Sequence, residues 1–147
     1  MDIIFDIDGT LLDISHRLHL IKKNPPNWKE FKRPSRKKWD TPRLPIINIA
    51  VALQKAGHRI ILCSGRTTSE RNDTVSSLSR FFDPMPPLYM RREGDYRPDT
   101  EVKAMILEML REIRFNPVMA FDDRPAVVRM WKENGLIVAD VGNGVEF

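Results

Sequence analysis

The sequence has almost no cysteine and no long hydrophobic run. Cys63 is the only cysteine in 147 residues, so no disulfide can form within the chain, and the apolar residues before it indicate a small side chain buried at a strand end. Charged residues interrupt every apolar stretch well before the roughly 18 residues that a membrane helix requires, and the N-terminus has no signal-peptide pattern. We therefore expect a cytoplasmic protein that does not bind a membrane.

A large excess of either charge is also missing. The chain has 24 Lys and Arg residues against 20 Asp and Glu residues, and 41% of its residues are hydrophobic, which is ordinary for a globular protein. We predict a single domain over residues 1–147. The positive charge is concentrated between Trp28 and Trp39, and this distribution favours an anionic partner. The basic residues of that segment are Lys29, Lys32, Arg33, Arg36, Lys37 and Lys38.

Five short apolar runs alternate with helical patterns along most of the chain. The predicted strands cover residues 2–5, 59–63, 88–90, 118–121 and 136–139, and the predicted helices cover residues 45–56, 73–82, 98–113 and 124–134. The strands are apolar throughout rather than at every second residue. We therefore predict an α/β fold, with a five-stranded parallel sheet that is flanked by helices.

Residues 12–44 interrupt this alternation. They contain a helical pattern over residues 15–23, then two prolines, and then Asn27 with Glu30 three residues later, which is typical of a capped second helix. We interpret the segment as a small helical cap insertion after the first strand. It is expected to lie beside the crevice at the carboxyl ends of the strands.

Parallel sheets bind their ligands at the carboxyl ends of the strands, and Asp6 follows the first predicted strand. Asp6 can attack phosphorus as a nucleophile, and Asp8 can protonate the leaving oxygen and then activate water. Gly9 allows the backbone to approach a phosphate, and Thr10 can orient the Asp6 side chain. Hydrolysis of a phosphate monoester needs these functions, so the segment indicates phosphoryl chemistry.

Two later segments can complete such a site. Asp122 and Asp123 end the fourth predicted strand and can supply carboxylates to Mg²⁺, although an exposed acidic turn that caps the next helix is the alternative. Ser64, Gly65 and Arg66 end the second predicted strand and can hold a phosphoryl oxygen, although such a tripeptide is also a common turn.

Lys103 lies four residues after Asp99 on a predicted helix, so a surface ion pair between them is the simpler explanation of both residues. His16 and His19 share a predicted helix but have no acidic or cysteine partner at metal-ligand spacing. We interpret both histidines as ordinary helix residues.

Four short motifs, in this order, resemble those of the haloacid-dehalogenase (HAD) phosphohydrolase superfamily, over nearly the whole chain. The motifs are Asp6-Ile7-Asp8-Gly9-Thr10, Ser64, Lys103 and Asp122-Asp123. The resemblance implies the Rossmann-like HAD fold, with Asp6 as the nucleophile and Asp8 as the general acid and base. It also implies that Ser64 and Lys103 hold the phosphoryl group.

Mg²⁺ is the cofactor that this resemblance implies. The ion would be bound by Asp6, by Asp122 and by the main-chain carbonyl of Asp8, with Asp123 in the same metal site.

Longer segments resemble the 3′-phosphatase domain of bacteriophage polynucleotide kinase-phosphatase, which removes 3′-phosphates from DNA and RNA ends. They include Ser64-Gly65-Arg66, Gly94-Asp95-x-Arg97-x-Asp99, Val102-Lys103 and Asp122-Asp123-Arg124. The resemblance implies that five residues bind the substrate or support the site, namely Arg17, Arg66, Arg91, Arg97 and Asp99. Thr10 and Gly65, from the segments described above, complete the predicted substrate-binding set. No Gly-x-x-x-x-Gly-Lys-Ser/Thr phosphate loop occurs, so we expect a stand-alone phosphatase, whose partner is a separate kinase or ligase.

The sequence therefore predicts a Mg²⁺-dependent polynucleotide 3′-phosphatase of nucleic-acid end repair, which acts on 3′-phosphate ends of DNA or RNA. A nucleotidase or another small-molecule phosphatase is the first alternative, because cap insertions select the substrate. A non-catalytic module that binds nucleic-acid ends is the alternative from another class. Trp28, Phe31 and Trp39 can stack on bases beside the basic residues, or they can pack inward while the lysines remain solvated.

Overall fold

The computed structural model describes residues 1–147, which form a five-stranded and a two-stranded sheet. The strands are β1 (Asp2–Phe5), β2 (Leu12–Asp13), β3 (Thr41–Pro42), β4 (Arg59–Thr67), β5 (Leu88–Arg91), β6 (Pro117–Asp122) and β7 (Ile137–Asp140). The helices are α1 (Ser15–Lys22), α2 (Trp28–Phe31), α3 (Pro34–Lys37), α4 (Leu44–Lys55), α5 (Arg71–Leu78), α6 (Asp99–Glu112) and α7 (Pro125–Glu133). None of these helices is long and apolar enough to span a bilayer.

The main sheet has the strand order β5-β4-β1-β6-β7, and every neighbouring pair is parallel. The predicted five-stranded parallel sheet is therefore confirmed. Successive side chains of a strand point to opposite faces. Ile3 and Phe5 pack with α4 and α5 in a cluster of 14 buried residues, whereas Ile4 packs with α6 and α7 in a cluster of 12. Because both faces of the central strand are covered, its consecutive residues Ile3, Ile4 and Phe5 are all apolar and buried.

The chain after β4 differs from the prediction. β4 continues to Thr67 rather than ending at residue 63, and α5 covers Arg71–Leu78 rather than residues 73–82. A short 3₁₀ turn, Thr68–Glu70, lies between them. It is stabilised by a capping box, in which Thr67 N donates to Glu70 Oε2 over 2.7 Å. The Thr-x-x-Glu pattern of this box is visible in the sequence and explains the earlier start of the helix.

Residues 12–44 lie outside the main sheet. The two ends of the segment meet as the antiparallel pair β2–β3, which the sequence pattern does not predict. Between them, α2 begins as expected after Asn27, whose side chain accepts a hydrogen bond from Glu30 N over 3.0 Å. Because both ends of the segment are tied together, its helices are held beside the carboxyl end of β1. Their inner faces are buried in a small cluster of Ile14, Leu20 and Phe31.

Candidate active site

A cavity of about 680 Å³ opens at the carboxyl ends of the central strands. Asp6 follows β1 directly, Asp122 is the last residue of β6, and Lys103 lies on the first turns of α6; all three line the cavity. Residues 12–44 supply part of its wall, including Arg17 and Trp28. The strand order thus brings together side chains that are far apart in the sequence.

Lys103 carries a buried positive charge between two carboxylates. Its Nζ donates to Asp6 Oδ1 over 2.7 Å and to Asp122 Oδ2 over 2.8 Å, and the residue is only 2% exposed. Burial alone would lower the pKa of Lys103, but the charges of Asp122 and Asp6 outweigh it and raise the pKa well above its ordinary value. The alternative ion pair with Asp99 is therefore wrong, because Asp99 pairs with two arginines instead.

Three carboxylates form a cluster that fits a divalent metal ion. Asp6, Asp122 and Asp123 each offer an oxygen within 4.8 Å of the others, and Asp6 Oδ2 is buried without a hydrogen-bond partner. Burial raises the pKa of Asp6 well above its ordinary value, against the opposing charge of Lys103. Burial and the charge of Asp122 raise the pKa of Asp123 to about 7. This accumulation of negative charge favours a cation that prefers oxygen ligands.

Asp122 is not part of an exposed acidic turn, so that alternative is wrong for this residue. It is fully buried, and its Oδ2 accepts hydrogen bonds from Lys103 and, over 3.0 Å, from Trp131 Nε1. Its Oδ1 accepts from the main-chain amides of Asp123 and Arg124, at 3.0 Å and 3.2 Å, and so satisfies amides that precede α7. Trp131, a fully buried core residue, thus also fixes a carboxylate of the site.

Two arginines bind the carboxylate of Asp8. Arg66 donates from Nε to Oδ2 over 2.8 Å and from Nη2 to Oδ1 over 2.5 Å, and Arg17 Nη2 donates to Oδ1 over 3.0 Å. Burial alone would raise the pKa of Asp8, but Arg66 and then Arg17 outweigh it and lower the pKa to about 2. Asp8 is therefore ionised at neutral pH in the free protein, which is the form that a general base requires.

Asp40 fixes both of these arginines, and no motif or spacing in the sequence marks it. Its Oδ1 accepts from Arg17 Nε over 2.9 Å, and its Oδ2 accepts from Arg17 Nη2 over 2.8 Å and from Arg66 Nη2 over 3.0 Å. His16 Nε2 lies 2.8 Å from Oδ1, so this histidine also contacts the network. Since the Asp40 side chain is only 3% exposed, it is a buried counter-charge that links residues 12–44 to the site.

Ser64 and Thr10 are buried behind the cavity wall. Ser64 is 1% exposed, and its Oγ accepts a hydrogen bond from Arg66 N over 3.1 Å. The hydroxyl of Thr10 is buried without a hydrogen-bond partner, so it does not orient Asp6 in the way that the sequence suggests. Ser64 therefore supports the backbone of Arg66, while the hydroxyl of Thr10 has no polar contact.

Two glycines allow carboxylates to approach the backbone closely. Gly9 has a φ of 88°, and a Cβ atom there would overlap the carboxylate of Asp123. A Cβ atom at Gly65 would lie 2.6 Å from Asp99 Oδ1. The sequence predicts that a phosphate approaches the backbone at Gly9, and in this structure the carboxylate of Asp123 takes that position.

Arg91 holds the loop between β5 and α6. Its Nε donates to Gly65 O over 2.9 Å, its Nη1 donates to the carbonyl oxygens of Asp95 and Arg97, and its Nη2 donates to Asp99. Arg97 pairs with Asp95 at 2.8 Å, and its side chain is 47% exposed at the cavity. Arg91 and Asp99 are therefore engaged in supporting the loop, whereas Arg97 retains a surface that a ligand can reach.

The family of polynucleotide kinase PNKP phosphatase domains matches residues 1–146. The chain belongs to this family. The match includes every candidate residue from Asp6 to Asp123, and it confirms the resemblance to a HAD phosphatase close to the PNKP phosphatase domain. HAD phosphatases of this kind use a divalent metal ion, which the cluster of three aspartates fits.

Two longer proteins and one of similar length illustrate the family and its fold. The "Putative bifunctional polynucleotide kinase/RNA ligase" of Autographa californica nuclear polyhedrosis virus is 28% identical over 133 residues, which are 89% of this chain and 18% of that protein. A chain of the Pnkp1/Rnl/Hen1 RNA repair complex is 26% identical, with a TM-score of 0.70 over 97% of this chain and 42% of that one. A phosphoserine phosphatase shares the fold at 18% identity, with a TM-score of 0.61 over 94% of this chain and 85% of that one. This member of the PNKP phosphatase family thus spans less than half of the length of the viral protein and of the RNA repair chain.

Asp6→Asn should abolish the phosphatase activity of this PNKP family member, because an amide at this position is not a nucleophile. We expect the rate of p-nitrophenyl phosphate hydrolysis to fall by at least about 10³-fold, with an unchanged circular dichroism spectrum. Asp83→Asn is the matched control, since it removes the charge of an exposed aspartate. Hydrolysis by Asp6→Asn within tenfold of the wild-type rate would show that another group is the nucleophile.

Asp40→Asn keeps the size of the side chain and removes the charge that faces Arg17 and Arg66. We expect kcat/KM to fall by about 10- to 100-fold, and the free energy of unfolding to fall by about 1–3 kcal/mol, because two buried guanidinium groups lose one of their two carboxylate partners and keep only Asp8. Steady-state kinetics and urea unfolding measure the two effects.

The control for Asp40→Asn is His16→Ala. This variant removes the contact between His16 and Asp40, but it leaves the contacts of Asp40 with both arginines in place. This variant should retain more than a third of the wild-type kcat/KM. If Asp40→Asn behaves in the same way, the arginines are positioned without Asp40.

Proposed function

We propose that this chain is a Mg²⁺-dependent polynucleotide 3′-phosphatase that repairs DNA or RNA ends through an aspartyl-phosphate on Asp6. The observation that carries the proposal is the unpartnered Oδ2 of Asp6, which is buried beside a cavity lined by Arg17 and Arg66. An oxygen in this position is available to attack phosphorus, and two guanidinium groups can bind phosphoryl oxygens.

The two chemical steps use Asp6 and Asp8. Lys103 binds Asp6 Oδ1, so Oδ2 forms the new bond to phosphorus, while the bond from phosphorus to the 3′-oxygen breaks and Asp8 gives its proton to that oxygen. Asp8 then removes a proton from water, whose oxygen attacks phosphorus and releases Asp6 and inorganic phosphate. Asp8 has to be protonated for the first step. A phosphoryl group that binds Arg17 and Arg66 competes with Asp8 for these arginines, and so raises the pKa of Asp8 from about 2.

Asp6, Asp122 and Asp123 are the side chains that would hold Mg²⁺. The resemblance to HAD phosphatases adds the main-chain carbonyl of Asp8 to this set. When bound, Mg²⁺ neutralises charge on the phosphoryl oxygens. Lys103 and a bound cation would together compensate the charges of Asp6 and Asp122, which counters the rise that burial causes in the pKa of Asp6.

The walls of the cavity favour a nucleic-acid end as the substrate. Trp28 is 44% exposed and Tyr96 is 92% exposed, and both line the cavity together with Lys32. Exposed aromatic rings beside a cation suit bases that are joined to phosphates. The names of the longer relatives, a polynucleotide kinase/RNA ligase and an RNA repair complex, support the same substrate class and a separate kinase or ligase as the partner. In this proposal residues 12–44 are the cap of a single phosphatase domain.

A nucleotidase is the competing candidate, because a cavity of about 680 Å³ is large enough for a mononucleotide. The non-catalytic binding module is not favoured, since a buried Lys103 between two carboxylates leaves one oxygen of Asp6 free for attack.

The two enzymatic candidates differ in how kcat/KM depends on the length of the substrate. For a polynucleotide 3′-phosphatase we expect kcat/KM for a 3′-phosphorylated decanucleotide to exceed that for the 3′-mononucleotide by at least about tenfold, because only the longer substrate reaches the charged surface outside the cavity. A 5′-phosphorylated decanucleotide is the control and should not be hydrolysed. Equal or better turnover of the mononucleotide would favour the nucleotidase.

Removal of divalent ions should stop the reaction. We expect EDTA to abolish phosphate release and Mg²⁺ to restore it, and we expect Asp123→Asn to require at least about tenfold more Mg²⁺ for half-maximal activity. A Mg²⁺ titration of both proteins measures this shift. Full activity in EDTA would contradict the assignment of the cluster to a metal ion.

A further inference from the structure

Trp28 is the one residue that lines both the active-site cavity and a second, open groove. The second groove is formed by the turn between α1 and α2, over residues 23–29, and includes Lys23 and Lys29. A ligand that passes over Trp28 therefore moves from the site of Asp6 into a surface channel with two lysines at its edges.

The ring of Trp28 is held in place but remains accessible. It packs edge-on against Phe31, with ring centroids 5.8 Å apart and an interplanar angle of 89°, and Phe31 itself is buried. Trp28 is nevertheless 44% exposed, and Lys32 Nζ lies 6.0 Å from its ring centroid. A fixed, exposed indole beside an ammonium group is a suitable surface for a nucleobase that is followed by a phosphate.

The ion pairs divide the basic residues of this segment into two groups. Arg33 and Arg36 both bind Glu30, at 2.8 Å and 2.6 Å, and Lys37 pairs with Glu70. A second group has no carboxylate within ion-pair distance and lies along the path through Trp28: Lys23, Lys29 and Lys32. Lys38 also lacks such a partner, but it lines neither the cavity nor the groove, so the unpaired lysines that a strand on this path can reach are Lys23, Lys29 and Lys32.

We propose that a single-stranded polynucleotide leaves the active-site cavity over Trp28 and continues along the groove of residues 23–29. One base stacks on Trp28, and the backbone phosphates lie beside Lys23, Lys29 and Lys32. This inference rests on the proposed function, since it starts from a 3′-phosphate at Asp6. It adds a defined direction for the strand and assigns the discrimination between a polynucleotide and a mononucleotide to four side chains.

The test compares the triple variant Lys23→Ala/Lys29→Ala/Lys32→Ala with the charge-neutral double variant Glu30→Ala/Arg33→Ala. For the triple variant we expect the ratio of kcat/KM for a 3′-phosphorylated decanucleotide to that for the 3′-mononucleotide to fall by about tenfold. We also expect the slope of log KM against log salt concentration to decrease by about 2, because each phosphate contact on a single strand contributes about 0.7. The double variant removes Arg33 together with the carboxylate that it pairs with, so the net charge is unchanged, and it should keep the wild-type ratio and slope.

Substitution of Trp28 tests the stacking contact separately. Trp28→Ala should lower the same ratio by about tenfold, with little change in the salt slope, and Trp28→Phe should recover most of the loss because it retains an aromatic face. A ratio that is unchanged in Trp28→Ala and in the lysine variant would overturn the proposed path, even if the wild type prefers the decanucleotide. If the wild type hydrolyses both substrates equally well, the proposed function fails and the path fails with it.

Discussion

The buried ammonium group of Lys103 is the interaction on which the rest of the site depends. Asp6, Asp122 and Asp123 repel one another at distances within 4.8 Å, and Lys103 compensates two of them through contacts of 2.7 Å and 2.8 Å. An uncompensated charge in such a position costs several kcal/mol, so α6 has to present this lysine inward. The apolar residues of the same helix face make that orientation stable: Val102, Ile106, Leu107 and Leu110 are all buried.

A second network couples the cap segment to the chemistry. Asp8 lies on the loop after β1, Arg66 on β4, and Arg17 and Asp40 belong to residues 12–44. The carboxylate that is assigned the role of acid and base is thus bound by one arginine from the sheet and one from the cap. The position of residues 12–44 therefore affects the charges that set the pKa of Asp8.

Much of this arrangement is predictable from the sequence, because strands that are buried on both faces appear as continuous apolar runs and their ends mark the site. Asp6 and Asp122 follow from that rule. The partner of Lys103 does not follow from the sequence, because helical spacing favours Asp99. The burial of the helix face turns Lys103 towards Asp6 instead. Asp40 has no signature at all, because its role depends on two arginines that only the tertiary structure brings together. The pairing of β2 with β3 is equally hidden, since each strand has only two residues.

The central claim is that the phosphoryl group is transferred to Asp6 and then to water. Each of these two displacements inverts the configuration at phosphorus. The stereochemical course at phosphorus tests this directly. An oligonucleotide that carries a 3′-thiophosphate, made chiral with a heavy oxygen isotope, is hydrolysed in water labelled with another isotope, and the configuration of the released thiophosphate is determined. Our account predicts net retention of configuration. Net inversion would show that water attacks the substrate in a single step, and would contradict a covalent intermediate on Asp6.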